Sequence, residues 1–354
     1  MLVGLGYIFL QQRCIRRYTR NGDKRITVIV AEIVDSQNRA ADAYFKHTRV
    51  AVDEEELRRW KSTITSSPPC GKICSYKWDR KEDGKYYPLL YKAVNCTNTL
   101  YRMAHSPYAV IRPPPRLPPP ELLSNFTIDG QCPVLRFRYY DNSNEVLQTR
   151  FEAKIFRKLL KLDSLTNINS YKENVLKLAL NKYKYLIHGK RVAVVGTEVP
   201  WAEAMLLNLG ATNVTTIEYR ELVIEDERVT TITPYRLANE FVSGQCIPFD
   251  TVFTYSSLEH SGLGRYGDPI TPFGDLEATA QVWCMVKPGG YFILAVPVSG
   301  NPSRCSIIWN ANRVYGNVRL QHLTANWRVL EQFISKHRVF ILQKVHDSLN
   351  DFNT

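Results

Sequence analysis

The 354 residues contain no Cys-x-x-Cys pair, no internal repeat and no compact run of Lys and Arg interleaved with aromatics. The first absence removes the usual zinc-site spacing. The second removes solenoids and propellers, and the third removes the plainest nucleic-acid signature. Long apolar runs are missing too. The best candidate, Leu2–Leu10, is about half a membrane span. No basic residue precedes it, and Arg13, Arg16, Arg17 and Arg20 follow. Two readings stay open: a signal-anchor remnant with weak membrane association, or a first strand.

Charge is abundant but uneven. The net charge of +12 divides into +10 over residues 1–120, +4 over 121–189 and −2 over 190–354. The basic character therefore belongs to the front of the chain. A generic solvated basic surface accounts for it; an acidic glycan, anionic lipid or nucleic acid is the functional alternative.

Eight cysteines are present, at positions 14, 70, 74, 96, 132, 246, 284 and 305. Four lie between Cys70 and Cys132, where turn residues dominate and disulfides would replace regular structure. Asn95, Asn125 and Asn213 stand in N-glycosylation sequons, a number that this Asn, Ser and Thr content produces by chance. The compartment stays open between cytoplasm and secretory-pathway lumen.

Lys24–Val34 reads as a strand and Arg39–Lys61 as a helix. Arg112–Pro120 holds six prolines in nine residues and must be largely polyproline II. It has the Arg-x-x-Pro-x-x-Pro spacing that aromatic-grooved partner domains read, and it serves equally as a stiff spacer. The expected organisation is a basic N-terminal region over 1–111, a proline-rich linker over 112–120, and a domain over 121–354 with its core at 190–345. Residues 145–162 and 171–187 show helical spacing. From Lys190 the pattern alternates: strand 191–195, helix 199–209, strands 214–218 and 228–232, helix 234–242, strand 250–254, helix 274–286, strand 290–296. Such alternation argues for parallel strands joined by crossover helices. Trp327–Phe333 and Arg338–Val345 should close the sheet as an antiparallel hairpin.

Chemistry gathers at the expected strand ends. Gly196 follows the strand RVAVV, where a glycine permits close ligand approach and the next helix offers free N–H groups. A plain helix-packing turn is the alternative. Glu218 closes the next strand 22 residues later, the position and spacing of an acid that accepts ribose hydroxyls. Glu259 to Asp268 packs Glu259, His260, Arg265 and Asp268 among three glycines. His260 suits a general base, and Arg265 suits a bidentate clamp on carboxylate or phosphate. Glu259 or Asp268 would orient them. Alternatively, Arg265 and Asp268 form an internal ion pair and His260 caps the strand. Asn310, Arg313 and Tyr315 either line the same crevice as substrate contacts or brace the following helix.

The Tyr255-Ser256-Ser257-Leu258-Glu259-His260 break, the Lys287-Pro288-Gly289-Gly290 turn and the strand after it resemble the class I S-adenosylmethionine-dependent methyltransferases. That resemblance implies an α/β fold with a Rossmann-like seven-stranded methyltransferase-type sheet and a terminal antiparallel hairpin, preceded by a smaller irregular N-terminal region. It implies S-adenosylmethionine as cofactor, held by Gly196, Thr197, Trp201, Glu218, Tyr255 and Ser256. The first turn keeps one glycine of the pattern and lacks its leading acid. Glu198 there would repel the cofactor's carboxylate.

A longer set of motifs is similar to the nematode-rich "domain of unknown function 268" family. It runs through Val199-Pro200-Trp201-Ala202-Glu203-Ala204, Glu218-Tyr219, Glu259 to Pro269, Gly274-Asp275-Leu276 and Asn310 to Gly316. Thr127-Ile128-Asp129-Gly130 and Tyr139-Tyr140-Asp141 extend it upstream. The family implies a methyltransferase-like fold and no settled reaction. Two functions follow as expectations: methyl transfer to an oxygen or nitrogen of a small or glycan-like acceptor, or a catalytically inactive module that binds a nucleotide, a nucleotide-sugar or a protein partner.

Overall fold

The computed structural model describes residue 94 and residues 96–104, 113–141, 150–161 and 174–344. All of these fall in one of the chain's two compact units, 50–354. The expected strand at Lys24–Val34, the helix at Arg39–Lys61 and the apolar stretch Leu2–Leu10 lie outside the described residues. No helix among the described residues is long and apolar enough to cross a membrane.

In chain order the elements are α1 (Cys96–Ala104), α2 (Leu123–Thr127), β1 (Val134–Phe137), β2 (Arg150–Phe151), α3 (Ala153–Leu160) and α4 (Asn174–Lys182). They continue as β3 (Arg191–Val195), α5 (Trp201–Asn208), β4 (Asn213–Ile217), β5 (Val223–Ile224), β6 (Val229–Ile232), α6 (Pro234–Val242) and β7 (Phe249–Tyr255). The last are α7 (Gly274–Met285), β8 (Val286–Pro297), β9 (Ser306–Trp309), β10 (Asn312–Val314), α8 (Asn317–Leu323), β11 (Trp327–Ile334) and β12 (His337–Lys344).

The chain is α/β, built on a mixed sheet in the order β11-β12-β8-β7-β3-β4-β6. β3, β4, β6, β7 and β8 run parallel, so each junction needs a crossover, supplied mainly by α5, α6 and α7. β12 pairs antiparallel with both β8 and β11. Burial on both faces explains the apolar runs: Val192 and Val194 join one core cluster and Ala193 the other, as alternate strand residues must. α6 begins at Pro234 because proline at the first helical position loses no hydrogen bond, while the Thr233 side chain caps Arg236 N–H at 3.3 Å.

Two local expectations change. The helix expected over 145–162 begins at Ala153, because Arg150 and Phe151 pair with Val223 and Ile224. Lys287-Pro288-Gly289-Gly290 is not a turn but the entry of β8, which shifts register against β7 between Phe249 and Thr251. Gly290 is required there, since a Cβ would lie 2.7 Å from the Asp250 carbonyl oxygen. A second sheet, β1-β9-β10, has no counterpart in the sequence reading.

The cysteines also pair differently. Cys96 bonds Cys284 and Cys132 bonds Cys305, so neither described member of the front group pairs within that group. Cys14, Cys70 and Cys74 lie outside the described residues. α1 packs on α6 and α7 and contributes Leu100 and Met103 to the core, although it precedes the prolines. Pro114 and Pro118 are buried, and Trp309 Nε1 donates to the Pro115 carbonyl at 3.0 Å. That stretch therefore lies along the domain rather than spanning free space.

Candidate functional site

Strand order reverses between β3 and β7, and in an open α/β sheet ligands bind beyond the carboxyl ends of the strands at that point. Gly196 ends β3 with φ +80, and a Cβ there would collide with the Ser257 side chain beyond β7. The backbone comes within side-chain reach of its neighbour at the switch point. Only glycine permits this.

The turn after Gly196 is tied to β4 and α5 through Thr197. Thr197 N–H donates to Glu218 Oε2 at 2.8 Å, and its hydroxyl donates to Glu203 Oε1 at 2.7 Å. Its carbonyl accepts from Arg220 Nη2 at 3.2 Å. Tyr219 N–H donates to the other Glu218 oxygen at 2.8 Å. Glu203, fully buried, also accepts from the Thr216 hydroxyl at 2.8 Å, and burial raises its carboxyl to about 7. Burial raises Glu218 as well, against the amide hydrogen bonds that favour its charge. Arg220 keeps Nε and Nη1 shielded from water with no hydrogen-bond partner among the described residues. Sequence reasoning assigned Glu203 no role beyond its place in a family motif, and Arg220 none. Glu203 had a signal: it is the single acid in WAEAMLLN, a segment apolar on every side.

The opposite wall is the loop after β7. Ser256 takes a left-handed conformation (φ +50) and donates its hydroxyl to Glu259 Oε1 at 2.5 Å. Glu259 is 1% exposed, its Oε2 has no hydrogen-bond partner among the described residues, and burial raises its carboxyl to about 7. His260 hydrogen-bonds the Ala311 carbonyl through Nδ1, which puts the proton there, and its Nε2 lies 3.8 Å from Glu259 Oε1. Burial, then the Arg265 charge, lowers His260 to about 3 against the help of the Ala311 carbonyl. It is neutral at physiological pH, with 17% of its side chain exposed.

Arg265 makes no ion pair with Asp268. Its guanidinium lies over the rings of Tyr140 (4.7 Å) and Tyr266 (4.9 Å), with Nε buried and no hydrogen-bond partner for it among the described residues. Asp268 instead accepts the N–H groups of Gly262 (2.7 Å), Gly264 (3.0 Å) and Tyr266 (3.1 Å). These three bonds shape the loop. Tyr266 donates its hydroxyl to Glu198 Oε1 at 3.0 Å.

The remaining expected residues are engaged in packing and internal hydrogen bonds. Trp201 meets Phe253 and Tyr255 edge to face, and Tyr255 stacks on His337, so this aromatic group belongs to the core beneath the strand ends. Asn310, Arg313 and Tyr315 are at most 1% exposed and brace the loop from within the packed structure. Asn310 Nδ2 donates to the Leu263 carbonyl at 3.0 Å, and Arg313 Nη1 to the Ser261 carbonyl at 2.6 Å. The Tyr315 hydroxyl donates to Asp275 Oδ2 at 2.9 Å. Arg319 grips Asp275 with Nε (2.8 Å) and Nη2 (2.6 Å). Asp275 is lowered to about 2, the charges of Arg313 and Arg319 outweighing burial.

Residues 189–351 match the family described as "Caenorhabditis protein of unknown function, DUF268". No curated protein matches the sequence. Among solved structures, the 1,6-didemethyltoxoflavin-N1-methyltransferase of Burkholderia thailandensis is 16% identical, with TM-score 0.37, covering 50% of this chain and 80% of that one. N-methyltransferase NodS from Bradyrhizobium japonicum is 10% identical, with TM-score 0.32 and coverage of 49% and 93%. A putative hemolysin from Streptococcus thermophilus is 13% identical, with TM-score 0.32 and coverage of 48% and 64%. Likenesses this distant leave function to the site itself.

Proposed function

We propose that the crevice between the Gly196 turn and the Ser256–Asp268 loop binds S-adenosylmethionine, and that the chain methylates an oxygen or nitrogen of a small or glycan-like acceptor. The observation that carries this reading is Glu218 at the end of β4. Two of its roughly four lone-pair positions accept the Thr197 and Tyr219 N–H groups, leaving the rest for ribose hydroxyls. At the amino-acid end, Glu198 is partly satisfied by Tyr266, and Arg220 supplies a cation beside Thr197 that the single-glycine turn otherwise lacks. The residues present thus fit the cofactor.

When bound, the cofactor supplies an electrophilic methyl group. The chain's task is to align an acceptor with it and to take a proton, and alignment supplies much of the rate in such transfers. His260, partly exposed where Glu259 is not, meets the acceptor through Nε2. Its low basicity suits a hydrogen-bond acceptor that orients a nucleophile. Glu259, poised near neutrality, serves as the proton reservoir behind it. Arg265, held rigid between two rings, engages an anionic group on the acceptor.

Isothermal titration of the full chain with S-adenosylmethionine and S-adenosylhomocysteine tests the reading, and absence of heat at millimolar ligand would sink it. His260→Ala should abolish turnover and leave cofactor binding intact; loss of both would make the histidine structural. The second reading, a silent nucleotide-binding module, is favoured by one observation. The space above Gly196 is filled by the Ser257 side chain. Binding without methyl transfer to any small or glycan acceptor would select it.

A further inference from the structure

We propose that this protein matures in an oxidising, glycosylating compartment and that Asn213 carries an N-linked oligosaccharide there. Two independent observations meet in this inference. The first is the pair of disulfides, Cys96–Cys284 and Cys132–Cys305, which join positions 188 and 173 residues apart. Cys132, Cys284 and Cys305 are at most 5% exposed, so each link is built into packed structure. Among the described cysteines only Cys246 is free. Structural disulfides of this kind persist where thiol-reducing systems do not reach them.

The second observation is where the sequon Asn213-Val214-Thr215 lies. Asn213 is the first residue of β4 and is exposed, and its side chain makes no hydrogen bond among the described residues. The candidate crevice lies at the other end of the same strand, where Glu218 follows Ile217. At about 3.3 Å per residue, the two ends are on the order of 16 Å apart. An oligosaccharide at Asn213 would project from the amino edge of the sheet and leave the crevice open. In contrast, Asn125 is half-buried within α2, beside the fully buried Phe126. Thr215 is itself 7% exposed, with Oγ1 3.0 Å from Thr230 Oγ1. Transfer must therefore precede docking of β4 against β6, as it does when a chain is modified while it is being threaded into a lumen.

Both steps balance. Each cysteine pair gives up two electrons and two protons to a disulfide-bearing oxidant, which becomes a dithiol. At Asn213, Nδ2 forms a bond to C1 of a sugar carried on a lipid pyrophosphate. The C1–O bond breaks, the pyrophosphate leaves with the electron pair, and Nδ2 loses one proton. The inference does not depend on the proposed methyl transfer.

The test uses protein isolated from its native cells, denatured and alkylated before any reductant is added. It is then digested in heavy-oxygen water with and without peptide-N-glycosidase. The expected result is disulfide-linked Cys96–Cys284 and Cys132–Cys305 peptides, with Asn213 converted to isotopically marked Asp only after glycosidase treatment. Alkylation of all four thiols without reductant would overturn the compartment. An unmodified Asn213 peptide in both digests would overturn the glycan.

Discussion

Tyr266 donates its hydroxyl to Glu198 Oε1 at 3.0 Å, joining the loop after β7 to the turn after β3 across the point where strand order reverses. This is a single hydrogen bond, worth about 1 kcal/mol net. Tyr266→Phe should leave global stability nearly unchanged, raise amide exchange over residues 261–268 and speed ligand association. Unaltered exchange and binding kinetics would show that the loop is held elsewhere.

Glu203 predicts an unusual pH dependence. Its carboxyl is raised to about 7 in the folded chain, above the ordinary carboxylate value of 4.5. The native state therefore binds more protons than the unfolded one between those values, and stability falls as pH rises through that window. The difference is on the order of 3 kcal/mol, given about 1.4 kcal/mol per pKa unit. Glu203→Gln should flatten the decline, so that urea midpoints at pH 5 and pH 8 converge. Glu259, raised to about 7 by the same cause, acts in the same direction and leaves a residual slope.

Asp275 works in the opposite sense. Held at about 2 by Arg313 and Arg319, it contributes stability above its ordinary value of 3.8 that is lost as pH falls from about 4 toward 2. Asp275→Asn would strand two buried guanidinium groups and should cost about 3–5 kcal/mol in chemical denaturation. Asp275→Leu combined with Arg319→Met should recover part of that loss. No recovery would mean that Arg313, rather than Arg319, bears most of the damage.

Gly196→Ala places a methyl group against Ser257 at a backbone conformation that side chains disfavour. The conformational part alone costs about 1–2 kcal/mol. Ser257→Gly in the same chain should relieve the collision and leave that conformational remainder, measurable as a partial return of the thermal midpoint.

Arg220 distinguishes the two ends of the proposed cofactor. Arg220→Gln should weaken S-adenosylhomocysteine by about 10–100-fold, the range for a charge-assisted hydrogen bond of about 1.5–3 kcal/mol. 5′-Methylthioadenosine, which lacks the amino acid, should bind the variant and the parent alike. Equal weakening of both ligands would place Arg220 at the ribose instead.

The sheet was legible because its signals are local. β3 and α6 stand where an apolar run and a Thr-Pro cap put them. The β1-β9-β10 sheet was not, since Val134 pairs with Ile307 and no short-range pattern encodes a partner that far away. Site residues divide the same way. Gly196 and Glu218 are marked by their positions at strand ends. The roles of Asp268 and Arg313 depend on backbone groups that a sequence does not display: three loop amides for the first, the Ser261 and Pro272 carbonyls for the second. Arg265 lies over two rings, and Asp268, the ion-pair partner that the alternative reading offered it, is spent on the loop amides.

The Cys96–Cys284 bond has a topological consequence. It fastens a point upstream of the prolines to α7, which belongs to the sheet. Cleavage of the chain between Pro113 and Pro119 would therefore yield two polypeptides but still one molecule. The strongly basic first third would travel with the sheet as a covalent passenger, and only reduction would set it loose.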